Sequence, residues 1–147
     1  MPHLEFNTVI EAVMTQKEDL LYKLDGLIGN HSCWKAELKD AIQHKYPLNA
    51  ATISKHDNCE FGVFVHDKNT ARYLGRFLHY QDVIHLHKKF HLEMGELAKV
   101  ANLGEYEKAK KMLDKCSHFH ETSSLLIRSV MSLKIEAYAS VDQHPRK

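Results

Sequence analysis

His87 and His91 lie four residues apart, a spacing that puts two imidazoles on one face of a helix, about one turn from each other and near enough to share a metal ion. Two nitrogens alone make a weak site. Cys59 adds a thiolate and His31 a third imidazole, completing a tetrahedral shell of three nitrogens and one sulfur, a donor set that suits zinc better than magnesium or calcium. Each of the four falls where its side chain would point inward. The expected cofactor is therefore one Zn2+ held by His31, Cys59, His87 and His91. No residue is assigned a catalytic role. Four protein ligands leave no position for an activated water, and Lys88 stands where a His-Glu-x-x-His hydrolase carries its general base. The Glu-x-x-His pairs of di-iron bundles are missing as well.

The elements that must carry these residues read as helices nearly throughout, with Pro2, Pro47 and Pro145 as the only prolines and no strand-like alternation. Apolar positions from Phe6 through Leu24 and Ile28 recur at helical spacing, and the stripe continues through His31, Leu38 and Ile42 before Pro47. Gly26 and Gly29 leave open one long helix or two. Residues 46–55 have the composition of a loop. Asp57-Asn58-Cys59-Glu60 has the form of a capping box with Asp57 as the N-cap, which places Cys59 in the first turn of a short helix, where the helix end favours a thiolate. The next helix is expected from Ala71 to Ala101, with Phe77, Ile84, His87, His91, Met94, Ala98 and Ala101 facing inward. Both histidines thus take core positions. Asn102-Leu103-Gly104 forms a stop, and a last helix runs from Glu105 to Ala139 with Ala109, Leu113, Cys116, Phe119, Leu126, Val130 and Leu133 inward.

The fold expected is all-α: an antiparallel four-helix-type bundle with an additional N-terminal helical segment and the zinc site in the bundle core. At 147 residues and 44% hydrophobic content the chain suffices for one core and not two. Within it, residues 1–25 form the N-terminal amphipathic segment and a candidate dimer contact, 26–140 the zinc-binding bundle, and 141–147 a flexible tail. Lysine plus arginine (20) balance aspartate plus glutamate (19), so neither nucleic acid nor an anionic membrane is an expected partner. No stretch approaches the ~20 apolar residues of a membrane span, and no leader is visible, so a cytoplasmic location is expected. Cys33, Cys59 and Cys116 are too few and too widely spaced for a disulfide framework.

With these residues on three helices, the chain resembles the chemoreceptor zinc-binding (CZB) domain family. His31-Ser32-Cys33-Trp34-Lys35 looks like that family's histidine followed by an aromatic and a lysine. Cys59-Glu60-Phe61-Gly62-Val63-Phe64 looks like its Cys-x-apolar-Gly-x-aromatic motif, with His56 before it also fitting. His87 and His91 look like its paired histidines, and Gly104-Glu105-Tyr106 like the turn into its last helix. Asn30 and Ile84 depart from the pattern, standing where aspartates often orient the imidazoles; Asp82 is the nearest substitute. The resemblance implies a regulatory homodimer that couples zinc occupancy, or oxidation of the zinc-bound cysteine, to a chemotaxis or cyclic-di-GMP output through an unidentified signalling partner. It also implies a free-standing member or a piece of a larger receptor, and the methionine and amphipathic helix at the start point to the former.

Blander readings stand beside these. Twelve histidines make a chance His-x-x-x-His spacing unsurprising, so the weight rests on the joint pattern. Trp34 reads as a core anchor beside the site, Gly62 as a point of close approach, His85 as solvated, and Lys108, Lys110, Lys111, Asp114 and Lys115 as a solvated face. The alternative function is a structural zinc-stabilised homodimerisation module, with the same ligands but no sensing.

Overall fold

The computed structural model describes residues 2–57 and 59–143, with side chains for 20–26, 28–30, 33–57 and 59–140. Seven helices and no strands occur among them: α1 Pro2–His44, α2 Ala50–Ile53, α3 Glu60–His66, α4 Lys68–Leu74, α5 Tyr80–Asn102, α6 Tyr106–Met112 and α7 His118–Gln143. α1 runs uninterrupted through Gly26 and Gly29. Each glycine costs a helix about 1 kcal/mol relative to alanine, but burial of Leu24, Leu38 and Ile42 against the rest of the protein stabilises it by roughly 1.5–3 kcal/mol per side chain. Packing therefore outweighs propensity.

Two helices end in the same device. At the close of α1, Tyr46 N–H donates to Ala41 O and Lys45 N–H to Ile42 O, with Lys45 in the left-handed region at φ 60°. α5 repeats it with Glu105 to Val100, Gly104 to Ala101, and Gly104 at φ 84°. Both are Schellman closures that satisfy the last carbonyls. Only the second uses the glycine that makes the conformation cheap.

Two expected helices are broken. The one expected from Ala71 is instead α4, a turn at 75–79, and α5 starting at Tyr80. In that turn Phe77 N–H reaches back three residues to Leu74 O, Phe77 meets Tyr73 edge-on at 5.8 Å, and the Arg76 guanidinium covers both rings. Glu136 of α7 then accepts the His79 N–H at 3.1 Å and sets where α5 begins. Phe77 and Ile84 are consequently half-buried and not core. The helix expected from Glu105 to Ala139 likewise divides at 113–117, where Leu113, Asp114 and Ser117 each bond three residues back and Ser117 Oγ accepts the His120 N–H to cap α7. Cys116, expected inward, is exposed in this turn. The expected tail overlaps α7 as far as Gln143; residues 144–147 lie outside the described ones.

α5 is the centre of the packing. It lies along α7 on one side and against α2 on another, with α6 at its end, while α1 packs on α7, α6 and α3. The core joins Val83, Phe90, Met94, Leu97 and Ala98 of α5 to Phe119, Leu126, Val130 and Leu133 of α7 and to Leu38 and Ile42 of α1. Phe90 stacks on Phe119 with centroids 5.1 Å apart, and Lys134 of α7 meets Asp25 of α1 at 2.6 Å. No described helix is long and apolar enough to cross a membrane.

Candidate metal centre

The inward face of α5 carries His87 and His91, only 1% and 3% exposed, with ring centroids 4.6 Å apart. The turn before α3 brings the third group. Cys59 is itself the N-cap of α3, in extended conformation, and its Sγ accepts the Gly62 N–H at 3.2 Å. The expected cap, Asp57, lies outside the helix and is exposed, because the Cys59 sulfur occupies the acceptor position that a capping aspartate would take. Gly62 makes this possible. A Cβ there would lie 1.8 Å from the carbonyl oxygen of His56, so the loop folds back onto the first turn only over a glycine. The Cys59 thiol also donates to that His56 oxygen at 3.6 Å.

Cys59 Sγ stands 3.3 Å from His87 Nε2, and one ligand atom from each of Cys59, His87 and His91 lies within 4.8 Å of the others. Zn–S and Zn–N bonds of about 2.3 and 2.0 Å at a tetrahedral angle put sulfur and nitrogen about 3.5 Å apart. The donors therefore fit a single metal ion. Their type, one thiolate and two imidazoles, fits a borderline-soft transition metal better than a hard cation.

His91 is oriented by a backbone carbonyl. Its Nδ1 lies 2.8 Å from Ile53 O in a buried hydrogen bond. A carbonyl can only accept, so Nδ1 carries the proton and Nε2 presents its lone pair as the ligand. This is the work that the resemblance would give an aspartate; Asp82 is exposed, and Ile53 does it instead. The carbonyl reaches the site because α2 sits unusually close to α5. A Cβ on Gly95, one turn beyond His91, would lie 2.6 Å from Ser54 Cβ. Asn102 fastens the other end of the segment, accepting from Leu48 N–H at 2.9 Å and donating to Leu48 O at 2.7 Å. Neither Gly95 nor Ile53 stands out in the sequence.

The walls are aromatic. Phe61 meets His87 edge-on at 5.1 Å, and Phe90 and Trp34 meet His91 at 5.8 and 6.3 Å. Burial lowers the His91 pKa below the usual histidine value, the Ile53 hydrogen bond opposes that, and the nearby His56 adds to it, so the ring is neutral and ready to ligate at pH 7. Burial likewise raises the Cys59 thiol, against backbone N–H bonds that lower it, with Asp57 raising it further. A bound cation reverses that balance, since a coordinated thiol is deprotonated outright.

Of the four expected ligands the structure brings Cys59, His87 and His91 together. The side chain of His31 lies outside the described residues. Trp34, three residues further along α1, is half-buried against His91 as an anchor, His85 is exposed, and Cys33 is exposed. Half-buried His120 takes a contact from Lys35 Nζ at 3.4 Å, away from the site. No protein-family model, curated protein or solved structure matches the chain.

Proposed function

We propose that the chain is a zinc-binding regulatory domain of the chemoreceptor zinc-binding kind, a four-helix-type bundle whose helix packing answers to occupancy of a centre formed by His31, Cys59, His87 and His91. The observation that carries the reading is the convergence of a helix-capping thiol on two buried imidazoles, one locked in its ligand tautomer by Ile53 O. The turn of α1 that begins at residue 31 ends at Trp34, beside His91, which is why His31 is retained as the fourth ligand. The ion ties together α5, the α3 cap and α1, so its loss removes a restraint that packing alone does not supply.

Cys59 is the switch within this reading. Half-buried and hydrogen-bonded at a helix N-terminus, it is the one ligand that oxidation can remove. A peroxide attacked by the thiolate leaves one oxygen on sulfur as the sulfenic acid and releases the other as water or an alcohol, and the centre loses its sulfur donor. A homodimer acting on a signalling partner belongs to the same proposal, with exposed Met131, Ile135 and Tyr138, spaced by four and three along α7, as a surface a second copy would cover.

The test is metal content by elemental mass spectrometry on protein purified without added metal, wild type beside Cys59→Ala. One zinc per chain, lost in the variant, supports the centre. A metal-free wild type, or zinc retained by Cys59→Ala, overturns it. Reversible release of zinc by peroxide, followed by recovery with a thiol reductant, separates a sensor from a purely structural site, which would unfold on release.

A further inference from the structure

Beyond the two buried ligands of α5, the imidazoles continue in a row toward solvent. His91 and His87 are buried, His56 in the turn before Cys59 is half-buried, and His66 at the end of α3 is exposed. Their centroids are separated by 4.6 Å from His91 to His87, 6.3 Å from His87 to His56, and 5.7 Å from His56 to His66. Two imidazoles on one zinc hold their centroids about 5 Å apart at the tetrahedral angle and about 6 Å apart as the angle opens toward linear. The His91–His87 and His56–His66 separations fall within that range, and the 6.3 Å from His87 to His56 lies at its open end, so an ion passing between these two requires the His56 ring to turn toward His87.

The backbone of His56 is not what moves. Its carbonyl is wedged against Gly62 and takes the Cys59 thiol, so the residue is held while its ring faces His87 on one side and His66 on the other. Phe61, Phe90 and Trp34, which pack on the two buried imidazoles elsewhere, offer no ligand atom to an ion shedding its water. A hydrated divalent ion needs replacement ligands at each stage of that loss, and among the described residues the histidine row supplies them on the path to solvent.

We propose that His56 and His66 form an outer docking site for a divalent transition-metal ion, and that the ion enters and leaves the Cys59/His87/His91 centre by way of His56. This rests on the metal centre proposed above. A ligand used in transit but absent from the final shell lowers the barrier in both directions. Its removal slows loading and release by the same factor and leaves the equilibrium affinity where it was.

Cobalt(II) is the probe, because its thiolate charge-transfer and d–d absorption report the loaded centre. Loading is followed by stopped flow and release by transfer to excess EDTA, for wild type, His56→Ala, His56→Gln and His66→Ala. Both rates should fall at least about tenfold, equivalent to about 1.4 kcal/mol of barrier, in the two His56 variants and less in His66→Ala, with affinity held within about twofold and the bands unmoved. His56→Gln keeps the bulk of the side chain, so agreement between the two variants excludes a folding defect. Unchanged rates overturn the relay. So does weakened affinity with shifted bands, which would make His56 a resident ligand. A wild type that shows no thiolate band with cobalt overturns the centre itself, a failure distinct from a centre that loads normally without His56.

Discussion

Gly95→Ala sets two effects of opposite sign against each other, and the geometry decides between them. In a helix interior the change alone should stabilise α5 by about 1 kcal/mol. The new Cβ, however, would lie 2.6 Å from Ser54 Cβ and 3.3 Å from Ser54 Cα. Carbon atoms in contact stand about 3.5–4 Å apart, so α2 must retreat by roughly 1 Å. The Ile53 carbonyl moves with it, and the hydrogen bond to His91 lengthens from 2.8 Å to nearly 4 Å, beyond any useful bond. A buried donor left without its acceptor costs about 1–3 kcal/mol, and overpacking adds a similar amount. Net destabilisation of the metal-free protein by about 1–5 kcal/mol should follow once the helix gain is subtracted. Zinc affinity should fall about 10–100-fold, because His91 loses the partner that fixes its tautomer. Urea unfolding of the metal-free protein and chelator competition measure the two quantities. Ser54→Gly in the same chain removes the clashing Cβ and should restore most of both. If Gly95→Ala instead stabilises the protein and binds zinc as tightly as wild type, the close seating of α2 and its role in orienting His91 are both refuted.

Gly62→Ala should be more severe, since the obstruction at 1.8 Å is a backbone oxygen that no rotamer change relieves; a loss of at least about 3 kcal/mol and of metal binding is expected by urea unfolding and metal content. The metal-free protein should also show a stability plateau bounded by two different groups. Burial lowers the folded pKa of His91, so the unfolded chain takes up its proton first and stability falls as the pH drops below about 6.5. Burial raises that of Cys59, so the unfolded chain loses its proton first and stability falls as the pH climbs above about 9. Urea midpoints against pH in EDTA test both limbs: His91→Gln should flatten the acid limb and Cys59→Ala the alkaline one.

How much of this the chain disclosed depended on what periodicity can see. The stripe through His87, His91, Met94, Ala98 and Ala101 is buried as spacing required, because an unbroken helix carries its phase from residue to residue. The same reasoning ran past the turns at 75–79 and 113–117, since short loops closed by bonds to the third residue back leave apolar positions nearly in phase. The signal for the second was present in Ser117, a serine able to cap α7. The cap of α3 was misplaced by two residues for a chemical reason: aspartate is the ordinary N-cap, and nothing in Asp57-Asn58-Cys59 says that a thiol will take the role. Ile53 was out of reach altogether. Every residue has a carbonyl, and only the approach permitted by Gly95 determines which one faces His91.

α1 has one property that the centre itself does not share, its length. At 1.5 Å per residue its 43 residues extend roughly 65 Å, and the Trp34 contact with His91 lies toward one end. From Trp34 back to Pro2 the rod measures about 48 Å. α1 is packed as far back as Leu20, about 27 Å from Pro2, so a tilt of about 10°, within the range by which packed helices differ in crossing angle, would sweep the far end through about 5 Å. In the regulatory reading proposed above, adjustments of a fraction of an ångström among side chains around His91 would reach the far end of α1 enlarged by leverage into a displacement of several ångströms.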